Sequence, residues 1–212
     1  LVEPLALFPT YAYDVVVRMD GFYERLLSIA HGGQQNMVVD VFMVPYLAQG
    51  QVRLLLSWSG CADLDLYVVK NAPVTTDSPD YIGRNATYMP GVRLERHSLT
   101  SFAGPETVLM DGTNLNFEDR FTVAVNVYGA YSCNGVKCAV PTRGSHQCMF
   151  LGGETFEIFT SRGLLYQGRF QSSPSNRGQW WEVGTIGFSR GLRVRWEEQP
   201  DYRQRFCENF FV

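Results

Sequence analysis

Lysine is nearly absent from this sequence of 212 residues. Of its 18 basic residues only Lys70 and Lys137 are lysines, so 16 are arginines, and 21 acidic residues give a formal net charge of -3. Surfaces that bind nucleic acid carry a clustered basic excess, which this balance does not suggest. Nucleic acid is therefore not expected as a partner. Arginine favours planar, bidentate contacts over loosely solvated ones.

Long apolar runs are also missing. A membrane-spanning helix needs about 18 to 20 consecutive apolar residues. The longest run here, Met37 to Leu47, is interrupted by Asp40 and Pro45. We therefore expect no membrane span. The sequence starts without a methionine or the basic start of a signal peptide, and we expect it to be part of a longer precursor.

Amphipathic helical periodicity is scarce, and a period of two dominates. The segment Val52 to Trp58 alternates in this way, and short turns such as Ser161-Arg162-Gly163 and Ser189-Arg190-Gly191 separate similar segments. This pattern predicts an all-β fold, an antiparallel two-sheet sandwich of Ig-like or jelly-roll-like type with a short preceding β segment. The predicted strands are Val15 to Met19, Gly21 to Ala30 (where a helix is the alternative), Met37 to Val44, Val52 to Trp58, Asp65 to Val69, Val92 to Leu99, Thr107 to Met110, Phe121 to Val127, Thr155 to Thr160, Leu164 to Phe170, Trp181 to Phe188 and Leu192 to Trp196.

A connector at Pro45 to Gly50 divides the chain, because it combines a proline and a glycine without apolar alternation. We predict that residues 1–48 are the last strands of a preceding β-domain or a linker extension. Residues 49–198 would form the β-sandwich module. Residues 199–212, charged and then aromatic, would form a docking tail.

Three of the five cysteines, Cys133, Cys138 and Cys148, cluster in a glycine-rich segment. Their spacing fits a zinc motif poorly even with His146 nearby, whereas disulfides in an oxidising compartment fit better. A short loop closes at the lowest entropic cost, so Cys133 is expected to pair with Cys138 or Cys148, and the pairing stays open. The sequon at Asn85 predicts N-glycosylation if the chain is secreted. These features predict a secreted or cell-surface glycoprotein.

Two resemblances to known families support this class. Residues 13 to 45, with Asp20-Gly21-Phe22, Gly32-Gly33 and a strand that closes in Val44-Pro45, resemble the end of carboxypeptidase-regulatory-like or CNA-B-like β-domains. Residues 50 to 190 resemble the YfaP-type (DUF2135-like) β-sandwich module, through the Val52–Trp58 strand, Asp63-Leu64-Asp65-Leu66-Tyr67 and Gly104-Pro105-Glu106-Thr107. Tyr67 occupies the histidine position of that family's pattern. The resemblance implies a secreted binding or architectural module with no chemistry to carry over.

A calcium site is predicted from acidic residues. Asp63 and Asp65 lie two apart, so on a strand both carboxylates project from one face. With Glu106 and Asp111 they would supply the oxygen ligands that calcium prefers. The alternative is that Asp63 and Asp65 cap the turn that follows Trp58. No other cofactor is predicted.

No nucleophilic triad is visible, because no serine lies in an elbow such as G-x-S-x-G. The histidines His31, His97 and His146 also lie in separate segments, so that no two fall in one motif. Asp65 and Glu106 could form a carboxylate pair for glycoside hydrolysis, but such pairs are common in an acidic chain. Trp180 and Trp181 could form a platform for sugar rings, although adjacent strand residues point to opposite faces and one is expected in the core.

The sequence thus predicts a non-catalytic extracellular structural or interaction module of a larger cell-surface or appendage protein, such as a filament or an adhesin. It would act through protein–protein contacts, with other domains or with copies of itself, by means of strand edges and the aromatic tail. The alternatives are a carbohydrate-binding, adhesive module and a hydrolase.

Overall fold

The structure is a computed structural model that describes residues 12–30, 41–58, 62–71, 81–83, 86–97, 104–130, 132–134, 137–139, 154–169, 180–190 and 192–198. Within these ranges the chain forms β-strands and a single 3-10 turn, and no α-helix. No helix in the described part is long and apolar enough to cross a membrane. The all-β prediction is confirmed.

The chain divides into two compact units, Leu1–Tyr46 and Leu47–Val212. The first contains a hairpin of strand β1 (Ala12–Val17) and strand β2 (Arg25–Ala30), so the helix alternative is wrong. The strand predicted over Met37 to Val44 is not seen in its described part, residues 41–44. Instead Pro45 forms an isolated bridge with Phe22, flanked by hydrogen bonds from the Tyr23 N–H to the Val44 carbonyl oxygen and from the Tyr46 N–H to the Gly21 carbonyl oxygen.

The second unit is an antiparallel sandwich of two sheets. The six-stranded sheet has the order β13-β12-β3-β8-β7-β6, and the five-stranded sheet has the order β15-β14-β9-β4-β5. Two further strands form a small separate hairpin, β10-β11. In chain order the strands are β3 (Gln51–Ser57), β4 (Ala62–Lys70), β5 (Tyr81–Ile82), β6 (Tyr88–Met89), β7 (Val92–Arg96), β8 (Glu106–Asp111), β9 (Arg120–Ala130), β10 (Ser132–Asn134), β11 (Lys137–Ala139), β12 (Thr155–Thr160), β13 (Gly163–Arg169), β14 (Trp180–Phe188) and β15 (Val194–Glu198), with the 3-10 turn Gly112–Asn114 between β8 and β9.

The core lies between these two sheets and follows the predicted alternation. From the six-stranded sheet it takes alternate residues of β3, such as Leu54, and of β12, such as Phe156. From the five-stranded sheet it takes Leu64, Leu66 and Val68 of β4, with Phe121, Val123 and Val125 of β9. Burial of these apolar faces is the main favourable contribution to folding, at about 25 cal/mol per Å² removed from water.

Strand β14 changes its inward phase in mid-strand. Trp181 and Val183 lie in the core before the change, and Ile186 and Phe188 after it. The pairing with β9 shifts by one residue between Glu182 and Gly184. A β-bulge of this kind adds one residue to one strand and so reverses which side chains face inward.

The bulge leaves room for an aromatic cluster at the edge of the sandwich. A Cβ at Gly184 would lie 2.5 Å from the Trp196 ring and 2.5 Å from the Glu197 carbonyl oxygen. The Trp196 ring packs on Tyr166 and Phe156, with centroids 5.0 and 6.1 Å away. These contacts join β15 of one sheet to β12 and β13 of the other.

Asp119 connects β4 to the start of β9. Its carboxylate forms an ion pair with Lys70 at 2.8 Å and accepts a hydrogen bond from the Asn71 amide at 3.0 Å. Burial acts to raise the pKa of Asp119, but these hydrogen bonds and the charge of Lys70 outweigh it, so that the pKa lies below its ordinary value.

This lowered pKa makes part of the stability dependent on pH. Because the folded pKa is depressed, Asp119 contributes stability above its unfolded pKa of about 4, and the contribution is lost as the pH falls through the folded pKa. We expect Asp119→Asn to destabilise the chain at neutral pH and to weaken the acid dependence of its unfolding free energy. Urea unfolding between pH 3 and pH 7 measures this. The exposed neighbour variant, Glu118→Gln, serves as control, and an equal effect there would contradict the role of Asp119.

Candidate functional site

The two halves of the Trp-Asp-Leu-Asp and Gly-Pro-Glu pattern meet at one end of the sandwich. Trp58 follows β3 and is buried in the core. Gly104 lies against it: the Gly104 N–H donates to the Trp58 carbonyl oxygen at 3.2 Å, and a Cβ at Gly104 would lie 2.4 Å from the Trp58 ring. Only glycine allows this approach, which fixes where β8 begins and so where Glu106 lies.

Glu106 contacts the five-stranded sheet although it belongs to the six-stranded one. Its Oε2 accepts a hydrogen bond from the Leu66 N–H at 2.7 Å. On the edge of β4 that faces away from β9, the described residues of β5 pair with Val68 and Val69. The Leu66 N–H therefore lies past the end of β5. A carboxylate at an open strand edge satisfies a backbone donor that would otherwise be buried without a partner.

A histidine completes this cluster. His97, directly after β7, places Nε2 3.3 Å from Asp65 Oδ1 and 3.3 Å from Glu106 Oε1. Asp65 and Glu106 are each only 1% exposed, whereas the His97 side chain is 21% exposed. One donor atom of each residue lies within 4.8 Å of the other two. We call Asp65, His97 and Glu106 the carboxylate–histidine cluster.

The structure brings together only part of the predicted calcium set. Asp65 and Glu106 meet, but Asp111 lies at the other end of β8. There its carboxylate accepts hydrogen bonds from the Thr113 N–H and hydroxyl, at 3.1 and 2.7 Å, and caps the 3-10 turn. Of Asp63 the structure describes the backbone, at an irregularity in the pairing of β4 with β9. Asp111 is thus a turn cap and does not belong to the cluster.

The remaining predicted site residues lie elsewhere. Trp181 is buried in the core and cannot serve as a platform for sugars, whereas the side chain of Trp180 is outside the described part. Cys133 on β10 is directly opposite Cys138 on β11, and Asn85 and Cys148 lie outside the described residues. Tyr67, at the resembled family's histidine position, stacks on Tyr81 with ring centroids 6.0 Å apart.

A groove of about 1370 Å³ lies at the opposite end of the sandwich. It is bordered by the β12–β13 turn, the β14–β15 turn, the start of β3 and the loop before β9. The groove is open, and fifteen residues line it: Gln49, Gly50, Gln51, Phe117, Thr160, Ser161, Arg162, Leu165, Phe188, Ser189, Arg190, Leu192, Arg193, Val194 and Arg195. Four of these are arginines and none is acidic; we call this surface the arginine groove.

Backbone contacts hold the two turns that carry these arginines. The Ser189 N–H donates to the Arg193 carbonyl oxygen at 2.9 Å, and the Arg162 N–H donates to the Thr160 hydroxyl at 3.2 Å. The Arg190 guanidinium lies 4.8 Å from the centre of the Phe117 ring, a cation–π contact. No carboxylate in the described part of the chain forms an ion pair with Arg162, Arg190, Arg193 or Arg195. The groove is therefore a positively charged surface on a chain of negative net charge.

Comparison with known proteins adds only the fold. No family model matches the chain, and no curated protein matches it. Among solved structures, the chain is similar to a protein of unknown function, SAV2460, at 14% identity and a TM-score of 0.51, over 71% of this chain and 88% of that one. A homologue of the telluride resistance protein TerD, SCO6318 from Streptomyces coelicolor A3(2), is 13% identical with a TM-score of 0.48, over 76% and 94% of the two chains. Similarity at this level is shared architecture, and the YfaP-type resemblance stays a prediction.

Proposed function

We propose that the sandwich is a non-catalytic module of a larger extracellular or cell-surface protein, and that it acts by binding an acidic segment of another protein in the arginine groove. The observation that carries this proposal is the convergence of Arg162, Arg190, Arg193 and Arg195 on one open groove, where no described lining residue is acidic. Guanidinium groups bind carboxylates in a bidentate manner, so several of them in a row complement a run of Asp or Glu.

The shape of the groove favours an extended peptide over a single small anion. Its volume exceeds what one carboxylate or phosphate fills, and apolar side chains, Phe117 and Leu165 among them, line it together with the arginines. A peptide presents both acidic and apolar groups to such a surface, whereas a uniform polyanion presents charge alone. The net charge of -3 disfavours attraction of polyanions to the chain as a whole.

The arrangement of the cysteines is compatible with an extracellular location. The register sets Cys133 opposite Cys138. Directly opposed residues of antiparallel strands have Cα atoms about 4.5 to 5.5 Å apart, within the range that a disulfide spans. We include a Cys133–Cys138 disulfide in the proposal, together with an oxidising compartment. N-glycosylation at Asn85 would belong to the same compartment.

The groove is tested by charge reversal. The full 212-residue chain is titrated with a fluorescein-labelled peptide of alternating glutamate and leucine. We expect Arg190→Glu/Arg193→Glu to weaken binding at least tenfold, because loss of a charge-assisted hydrogen bond costs about 1.5 to 3 kcal/mol and 1.4 kcal/mol corresponds to a factor of ten. The matched control is Arg169→Glu, at the other end of the β12–β13 hairpin from Arg162, which should leave affinity within about twofold.

Three outcomes would contradict the proposal. The first is no binding of the peptide by the unaltered chain, and the second is an equal loss in the control variant. The third is that heparin, a sulfated polysaccharide, binds more tightly than the peptide with the same dependence on Arg190 and Arg193. That result would support the carbohydrate-binding alternative instead.

A further inference from the structure

The carboxylate–histidine cluster has the geometry of a metal site. His97 Nε2 lies 3.3 Å from both Asp65 Oδ1 and Glu106 Oε1. A charge-assisted hydrogen bond between nitrogen and oxygen is shorter, about 2.7 to 2.9 Å. Two ligands of a tetrahedral zinc ion, each about 2.0 to 2.1 Å from the metal, lie about 3.3 to 3.4 Å apart. The two nitrogen–oxygen distances match the edge of such a tetrahedron, and the His97–Asp65 distance is also within hydrogen-bond reach.

The charge of the cluster points the same way. Asp65 and Glu106 bring two carboxylates, each 1% exposed, within reach of one histidine. Buried charges in proteins are paired or coordinate a metal, because removing them from water is costly. A divalent cation bound between Asp65 and Glu106 would balance the charges of both carboxylates.

The donor atoms identify the class of metal. Calcium and magnesium take oxygen ligands, whereas imidazole nitrogen suits zinc and its neighbours among the transition metals. One nitrogen and two carboxylate oxygens provide three protein ligands. The partly exposed side of His97 leaves an approach for a fourth, such as water. We propose that Asp65, His97 and Glu106 bind one zinc-class divalent cation, in place of the calcium ion predicted from the acidic residues alone.

Such an ion would join the two sheets. Asp65 lies on β4 of the five-stranded sheet, and Glu106 begins β8 of the six-stranded sheet. His97 follows the end of β7, next to β8. His97 and Glu106 lie 32 and 41 residues after Asp65 along the chain. Metal binding that requires the folded arrangement of distant ligands stabilises the folded state. This site is independent of the arginine groove, which lies at the other end of β3.

The test is a thermal one with a spectroscopic check. The full chain, with any disulfides intact, is stripped with chelator, and its melting temperature is measured with added Zn²⁺, Mn²⁺ or Ca²⁺. At a zinc concentration a hundred times the dissociation constant we expect a rise of roughly 5 to 10 °C. Calcium should give little or no rise. Titration calorimetry should give one zinc ion per chain, and substituted Co²⁺ should show visible bands without the near-ultraviolet thiolate band of a cysteine site.

Two variants locate the site. His97→Ala and Asp65→Asn should each abolish the zinc-dependent rise in melting temperature. Asp65→Asn keeps the shape of the side chain, so it tests the site even if His97→Ala folds poorly. The control is His146→Ala, which removes the histidine of the cysteine-rich segment and should leave the rise intact. A rise with calcium but not zinc, a zinc response that survives both cluster variants, or no response to any metal would each overturn the assignment. The last result would identify the cluster as a buried ion pair.

Discussion

Leu54→Ala should lower the free energy of unfolding by about 2 to 5 kcal/mol, the range for truncating a fully buried leucine. Leu54 is 0% exposed in the centre of β3, with Val108 of β8 on one side and Ile158 of β12 on the other. Because neighbours on both sides hold the site open, the backbone cannot close the resulting cavity. The measurement is urea unfolding followed by tryptophan fluorescence, with an unchanged denaturant slope.

The same substitution on an outer strand provides the control. Leu164 on β13 is 52% exposed, so Leu164→Ala should change the unfolding free energy by less than about 0.5 kcal/mol. Equal losses in the two variants would show that the inward face of β3 has been assigned incorrectly.

Gly184→Ala should destabilise the sandwich by about 1 to 3 kcal/mol, the usual cost of overpacking. The added methyl group would lie 2.5 Å from the carbonyl oxygen of Glu197, which belongs to the backbone of β15 and cannot move as a flexible side chain could. It would also meet the Trp196 ring at 2.5 Å. Relief of these contacts requires β15 to separate from the β14 bulge, so near-ultraviolet circular dichroism should change together with stability.

Gly187, three residues further along the same strand, is the matched control. The nearest atom to an added Cβ there is the Asp119 carbonyl oxygen at 3.5 Å, an ordinary van der Waals distance. Gly187→Ala should leave stability unchanged or raise it by up to about 1 kcal/mol, since alanine restricts the unfolded chain. A larger loss from Gly187→Ala than from Gly184→Ala would contradict the packing described for the aromatic cluster.

The sequence predicts the architecture well where strands are long and regular. The period of two identified β3, β4, β9 and β12 because one face of each is buried between the sheets. It did not reveal β5 or β6, since two residues are too few to show any period. It did not show the bulge in β14, although Gly184 lies there and a glycine inside a strand often marks a bulge.

The candidate site was predicted in part, for reasons of the same kind. Asp65 and Glu106 were placed together, but Asp111 is an odd number of residues from Glu106, so on a strand the two side chains point to opposite faces. That signal was available in the sequence. No sequence signal placed His97 in the cluster, because the pairing of β7 with β8 shifts between Leu94 and Arg96 and the histidine follows the end of β7. The arginine groove forms where turns far apart in sequence meet, although both contain Ser-Arg-Gly.

The unequal outer strands of the sandwich affect how copies could associate. On one flank the described strands β5 and β6 are two residues long, whereas on the other β13 and β15 have seven and five. Addition of a strand from a second molecule requires a row of backbone donors and acceptors, and among the described edge strands β13 and β15 are the ones long enough to present it. Two molecules that met through this same flank would form a closed, symmetric dimer, because an isologous contact uses the same surface of both partners.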